Sequence, residues 1–312
     1  MKAVIVTGFG AEPTLADLPV PEPGPGQVLV RLHAAGLNPF DWKVADGALK
    51  DAVPHAFPLV LGSDGAGVVE RTGPGVTRFR PGDRVYGQFM RLEQGRGSYA
   101  EYTLADEDGT LAQIPASLPF TVAAALPTAS VTAYQAVEAA GVRTGHTLLI
   151  NGASGGVGQS AVQFATQAGA EVLATAPPEL AAHLRDLGAG TVIDVTRAPV
   201  HEQVSAGGVD AVLDLVTPAG GDVSALAGLL RPGGTLVNTN YALDPAALAA
   251  RDVVGVNFGN RPTPEVLATL ADLADTGKLR VRLDAEVPLH EAPAALARSR
   301  TGHARGKTVI VP

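Results

Sequence analysis

The residues best suited to chemistry lie in one run, His146-Thr-Leu-Leu-Ile-Asn-Gly-Ala-Ser-Gly-Gly-Val-Gly158, followed by Gln-Ser-Ala-Val-Gln-Phe-Ala165. A buried strand that meets a glycine-rich turn and opens into an amphipathic helix is a phosphate cradle. The helix start turns unbonded backbone N–H groups towards an anion, and glycine brings the backbone close without a Cβ in the way. Gly155 fills that place for a pyrophosphate, Gly158 lets the helix pack on the strand, and Ser154, Gly156 and Val157 complete the lining. Ala153 stands where the dinucleotide fingerprint has its first glycine, a departure the turn tolerates. Such a turn alone is weak evidence, its plain alternative being a structural glycine turn; the strand before it and the helix after it favour binding.

The next strand ends at Ala174-Thr175-Ala176-Pro177-Pro178. An NAD-preferring site places Asp or Glu there for the ribose hydroxyls. The absent acid favours NADP, with Thr175 as a cofactor contact. NAD is not excluded, because no Arg or Lys follows at once, Glu179 has the wrong sign for a 2′-phosphate, and the nearest cations are His183 and Arg185. Val216 and Thr217, at the end of a later strand, fall where the adenosine side of such a crevice belongs.

Other chemistries drop out by composition. The chain has no cysteine, so thiolate nucleophiles, disulfides and Cys-based zinc sites are excluded, and the seven histidines show no paired ligand spacing. No tyrosine has a lysine four residues on, which removes the Tyr-x-x-x-Lys proton donor of short-chain dehydrogenases. A methyltransferase shares the glycine turn, but residues 1–145 ahead of it are β-rich.

The elements that must position these groups fall into two patterns. Residues 1 to about 120 read as short strands between Gly and Pro turns, a small barrel or sandwich: Lys2–Thr7, Gln27–Ala35, Gly65–Thr72, Asp83–Gly87 and Ser98–Thr103. Phe120–Ala140 is Ala-rich and helical. Buried strands and helices then alternate: His146–Asn151, Gly156–Gly169, Glu171–Thr175, Pro178–Gly188, Thr191–Asp194, Asp210–Val216, Ala219–Leu230, Gly234–Thr239, Asp252–Phe258 and Pro264–Thr276. That is the signature of a doubly wound parallel α/β sheet. The tail returns through a helix, Leu289–Arg300, to a strand, Lys307–Val311, too short to stand alone. The expected division is a discontinuous domain, 1–120 with 277–312, around a Rossmann domain, 121–276.

Bulk properties agree with a globular protein. Of 312 residues 46% are hydrophobic and 17% charged, and 23 basic against 31 acidic residues give a net charge of −8. No basic stripe serves nucleic acid, and no apolar run is long enough for a membrane span. The amino end enters a strand directly, so a cytoplasmic protein is expected.

Several segments together resemble the zinc-independent medium-chain dehydrogenase/reductases, quinone oxidoreductases above all. They are Gly36-Leu-Asn-Pro-Phe-Asp41, Gly62-Ser-Asp-Gly-Ala-Gly67, Pro81-Gly-Asp-Arg-Val-Tyr-Gly87, Gly97-Ser-Tyr-Ala-Glu-Tyr102, Leu126-Pro-Thr-Ala-Ser-Val-Thr-Ala-Tyr134, Asn151 to Gly158 and Arg305-Gly-Lys307. They span nearly the whole chain in the family's order. The resemblance implies a GroES-like β-barrel beside the Rossmann sheet, and hydride transfer from NADPH to a quinone or an α,β-unsaturated carbonyl. It puts Asn38 and Ser63 where zinc enzymes carry a ligand Cys and His, so no metal is expected, and acceptors that stabilise negative charge by their own conjugation suit the site better than simple alcohols.

The same resemblance places Asn38 at the nicotinamide end of the site and Lys43 at the nicotinamide ribose, with Lys43 as a candidate proton donor. Thr132, Thr239, Asn240, Asn257 and Phe258 fall near the nicotinamide half. Their plain alternatives are a surface lysine, a turn residue at Asn240 and a core residue at Phe258; Trp42 and Tyr86 read as packing. An enoyl-thioester reductase, which needs an anion site for its substrate arm, and a non-catalytic dinucleotide-binding sensor are the competing functions. Asp252–Phe258 is apolar enough to pair two sheets edge to edge in a homodimer.

Overall fold

Lys2-Ala-Val-Ile-Val buries every side chain but its first and forms β1 (Lys2–Val6). β2 (Thr14–Asp17) and the long β3 (Gln27–Gly36) follow, then helix α1 (Pro39–Ala45), which Pro39 starts at a position where a missing N–H costs nothing. Next come β4 (Leu59–Val60), β5 (Asp64–Thr72), β6 (Arg84–Gln88), β7 (Tyr102–Asp106) and β8 (Leu111–Gln113), then α2 (Phe120–Ala124) and α3 (Pro127–Ala139). β1 lies antiparallel between β2 and β4. β3 pairs antiparallel with both β5 and β7, and β5 continues through β6 to β8. Gly36 closes β3 against α2: a Cβ there would sit 2.2 Å from the Ala124 carbonyl oxygen.

The chain then alternates. β9 (Thr147–Asn151), α4 (Gly156–Gln167), β10 (Glu171–Ala176), α5 (Ala181–Asp186), β11 (Thr191–Asp194), α6 (Val200–Gln203), β12 (Val209–Asp214), α7 (Ser224–Ala227), β13 (Leu230–Asn238), α8 (Pro245–Ala249) and β14 (Val254–Asn257) succeed one another. The strands form one parallel sheet in the order β11-β10-β9-β12-β13-β14. The order reverses beside β9, the topology that opens a crevice at the strand carboxyl ends. Finally α9 (Pro264–Asp275), β15 (Leu283–Pro288), α10 (Ala292–Ser299) and β16 (Lys307–Val311) complete the chain. β16 pairs with β15 on one side and antiparallel with β3 on the other, so the tail joins the amino-terminal sheet.

The computed structural model describes residues 1–302 and 304–312. They divide into two units, 1–131 with 262–312, and 132–261. These bounds differ from the expected 1–120 with 277–312 and 121–276. Residues 121–131 and α9 fall with the β-rich unit, because α9 packs on β8 and the buried Tyr86 hydroxyl donates to the Leu267 carbonyl. Tyr86 is thus a packing residue, as its sequence context suggests.

Other elements differ for local reasons. Ser98–Thr103 is not a strand throughout: Ser98 and Tyr99 turn their hydroxyls inward, to the Asp64 carbonyl and the Asp41 carboxylate, and the strand starts at Tyr102. The helix expected over Ala219–Leu230 shrinks to Ser224–Ala227, after Gly220 at φ +75° and an Asp222 turn that accepts from Ser224 N at 2.8 Å. β12 stops at Asp214, whose side chain takes the next backbone N–H groups and bends the chain away. Thr14–Asp17 and Leu283–Pro288 are strands that the sequence pattern did not signal.

Candidate functional site

In the parallel-sheet unit the glycine turn has the geometry of an anion cradle. Gly152 leaves β9 at φ +93° and donates its N–H to Thr175 Oγ1 at 2.8 Å, while Ala153 N donates to the Thr175 carbonyl at 3.1 Å. Thr175, on β10, therefore ties down the turn rather than offering a free hydroxyl. Gly155 is the N-cap of α4, extended at φ −80° and ψ 173°, and the nearest atom to a Cβ built there is 4.0 Å away, leaving the approach open. Gly158 is the reverse: its Cβ would lie 2.4 Å from Gly152 O and 2.5 Å from Ala153 Cα, so the helix presses on the turn. Ser154, Gly156 and Val157 are half-buried along the same stretch, and the Ser154 carbonyl is held by Gln159 Nε2 at 2.7 Å. This open, donor-rich cradle fits a dinucleotide pyrophosphate.

One residue outside the sequence-derived set organises the remaining strand ends. Asp214, fully buried at the end of β12, accepts through Oδ1 from Asn151 Nδ2 (2.9 Å), Val216 N (3.1 Å) and Thr217 N (3.2 Å). Its Oδ2 accepts from Asn238 Nδ2 at 2.9 Å. Asn238 Oδ1 in turn accepts from Asn240 N (2.8 Å) and Ala242 N (3.0 Å). The one carboxylate thus joins the glycine turn, the Val216–Thr217 turn and the Asn240 segment. An acid closing the apolar run Ala-Val-Leu-Asp214 is the signal that could have revealed it.

The expected nicotinamide-side residues also gather in this unit. Gln135, Tyr241, Asn257, Phe258, Gly259, Asn260 and Arg261 line an open pocket of 510 Å³. Thr132, on α3, joins its rim by accepting from Asn260 Nδ2 at 3.0 Å. Asn257 bonds both ways to the Leu243 backbone, at 3.0 and 2.9 Å, so its amide holds a loop. Thr239 N donates to the Asp214 carbonyl at 3.3 Å, and Val216 is widely exposed. Tyr241, unforeseen, stands 61% exposed at φ +59° on the lip of the pocket.

Asn38 and Lys43 lie in the β-rich unit, at the two ends of α1. Asn38 is the N-cap, and its N–H donates to Asp41 Oδ2 at 2.8 Å. Its side chain is committed on both sides: Nδ2 donates to Asp64 Oδ2 (2.9 Å) and to Gly36 O (3.3 Å), and Oδ1 accepts from Lys307 Nζ at 2.7 Å. Asp41 also accepts from Ser63 N (3.0 Å), Ser63 Oγ (2.8 Å) and Tyr99 OH (2.6 Å). Burial pushes its carboxyl up to about 6 despite these donors. Burial raises Asp64 too, opposed by Lys307 and by Thr128, which donates from N (2.9 Å) and Oγ1 (2.6 Å). Lys43 is half-buried, which lowers its ammonium pKa, and its Nζ lies 5.8 Å from the Trp42 ring centre.

Asn38 and Ser63 are the places where the resemblance puts zinc ligands, and the donor set there does not fit the metal. The Asn38 oxygen already faces an ammonium, the Ser63 hydroxyl donates to Asp41, and the chain has no thiolate to offer. Among the described residues no cluster of three His, Asp or Glu is placed to hold a metal ion, and no helix is long and apolar enough to cross a membrane.

Comparison with known proteins agrees along the chain. A family model described as alcohol dehydrogenase GroES-like domain matches residues 24–116, and one described as zinc-binding dehydrogenase matches residues 187–310. The chloroplast envelope quinone oxidoreductase homolog of Arabidopsis thaliana is 33% identical over 312 residues, covering 95% of this chain and 93% of its own length. An NADPH-dependent alkenal/one oxidoreductase from the same plant is 32% identical, covering 100% of this chain and 80% of its own. The solved quinone oxidoreductase from Coxiella burnetii superposes with a TM-score of 0.89 at 33% identity, covering 100% of this chain and 99% of that one.

Proposed function

Because the chain belongs to the medium-chain dehydrogenase/reductase family, on its quinone oxidoreductase branch, we propose that it reduces a quinone or an α,β-unsaturated carbonyl with NADPH and without zinc. The observation that carries this reading is the glycine turn, open at Gly155 and closed at Gly158, with Asp214 holding the neighbouring turns in register.

When bound, the reduced nicotinamide supplies a hydride, two electrons and a proton nucleus together. The residues of the chain do the rest. Ser154 to Gly158 take the pyrophosphate, Val216 and Thr217 border the adenosine, and Thr132, Thr239, Asn240, Asn257 and Phe258 border the nicotinamide half. Asn38 borders the nicotinamide end, and Lys43 Nζ meets the ribose and hands a proton to the reduced acceptor, regaining one from solvent. Partial burial favours that transfer by weakening the ammonium's hold on its proton. The preference for the 2′-phosphorylated cofactor rests on the acid-free end of β10, with His183 and Arg185 on the helix that follows. β14 is an outer strand of the parallel sheet with Val254 exposed, and we place the contact of a homodimer there.

The test is direct. The protein is mixed with NADPH and either 1,4-benzoquinone or a 2-alkenal, and loss of the reduced nicotinamide absorbance at about 340 nm is followed. Parallel titrations with NADPH and NADH measure the cofactor preference. Binding without turnover across a broad acceptor panel overturns the enzyme reading in favour of a dinucleotide sensor. Turnover confined to enoyl thioesters selects that substrate class instead.

A further inference from the structure

A lysine closes the Asn38 network from the far end of the chain. Lys307 is 5% exposed on β16, and its Nζ donates to Leu37 O and Asn38 Oδ1, both at 2.7 Å. Burying an ammonium in a protein interior is unfavourable unless opposite charge and acceptors surround it. Here the buried carboxylates of Asp64 and Asp41 supply the charge, and the two oxygens supply the acceptors. A Met of similar length would fill the space without that cost, so packing does not account for the residue.

We propose that Lys307 is a positioning residue that fixes the side-chain amide of Asn38. An amide has an oxygen and a nitrogen of nearly equal shape, and only its partners decide which way it points. At Asn38 the decision is unambiguous: an ammonium can only face the oxygen, and the Asp64 carboxylate can only face the nitrogen. The ammonium also polarises the amide, which strengthens its N–H donors. Of the two amide hydrogens, the one aimed at Gly36 O, at 3.3 Å, is the more loosely held. The role of Asn38 at the nicotinamide end comes from the reading above, and this proposal rests on it.

The experiment compares wild type with Lys307→Met and with Lys307→Met/Asp64→Asn, which removes the buried cation together with the buried carboxylate that favours it most. Two readouts are taken. In steady-state kinetics, kcat should fall on the order of 10- to 100-fold in both variants, the scale of a misplaced contact group, while NADPH affinity by calorimetry changes far less. Independently of activity, the six asparagines allow the Asn38 amide to be assigned by selective ¹⁵N labelling and an Asn38→Ser control. Its hydrogens should exchange with solvent faster without Lys307. A folded Lys307→Met protein with wild-type kcat and an equally protected Asn38 amide overturns the proposal. If the single variant fails to fold, the double variant decides by the same measures, and failure of both to fold assigns Lys307 a purely structural role and overturns it too. If wild type binds NADPH yet reduces nothing, the functional reading fails, and the amide measurement still tests Lys307.

Discussion

Asn238 Nδ2 donates to Asp214 Oδ2 at 2.9 Å, while the other oxygen of the same carboxylate accepts from three donors on two different turns. Every partner of that carboxylate is a donor. In Asp214→Asn the new NH₂ must face the Asn238 NH₂, and flipping Asn238 only moves the conflict to Asn240 N and Ala242 N. We expect a stability loss of about 2–4 kcal/mol by chemical denaturation and weaker NADPH binding. The exchange Asp214→Asn with Asn238→Asp restores a donor–acceptor pair between the two and should recover part of both losses. Recovery is incomplete because Asn238 also donates to Thr217 O at 3.1 Å.

Two alanine substitutions in the glycine turn should separate folding from binding. Gly155→Ala adds a methyl facing open space at an ordinary φ, so thermal stability should stay near wild type while NADPH affinity falls about 10-fold or more from loss of the close backbone approach. Gly158→Ala drives a methyl into the backbone of Gly152 and Ala153 and should cost about 1–3 kcal/mol before any cofactor is added. Equal affinity in wild type and Gly155→Ala would remove the pyrophosphate from this turn.

Asp41 sets a pH dependence of known sign. Its folded pKa, about 6, lies above its usual 3.8, so between those values the folded chain holds a proton that the unfolded chain has released. Its contribution is fully present below 3.8 and is lost as pH rises through about 6. Comparing wild type with Asp41→Asn by urea denaturation, the difference in stability should move against wild type by about 2 kcal/mol between about pH 4 and pH 7. A difference that stays flat over that window contradicts a raised carboxyl.

Lys43→Met tests the proton donor. Loss of a general acid lowers rates on the order of 10²-fold. The fall should be larger for a 2-alkenal, where carbon must be protonated, than for benzoquinone, whose reduced form is a stabilised oxyanion. Equal kcat in the variant with both acceptors removes Lys43 from the chemistry.

Val254→Lys places a charge on the exposed edge of β14. A homodimer paired through that edge should dissociate in sedimentation analysis, whereas a variant still dimeric shifts the interface elsewhere.

Much of this organisation was legible in the residues themselves. The glycine turn and the alternation into a parallel sheet follow from local pattern, which one sequence carries well, and the return of the tail follows from a last strand too short to stand alone. Thr175 was legible as the end of its strand but not in its task, since only the fold shows its hydroxyl oxygen accepting from Gly152 N. The Asp214 hub was hidden because its partners, Asn151 and Asn238, come from separate strands. The Asn38 network was hidden more deeply: its cation lies 269 positions away, beyond any spacing rule. Asp41, read only as one letter of a signature segment, proved to be the acceptor for three other residues.

The course of β16 bears on how the molecule is made. A ribosome that has released the first 131 residues has produced a lobe containing Asp41 and Asp64 but neither the outer pairing partner of β3 nor the ammonium that offsets those acids. The contiguous segment 132–261 meets no such delay. Vectorial synthesis therefore lets the segment emerging second reach its native state first, while the lobe begun earliest waits for Lys307 before its interior is electrically balanced.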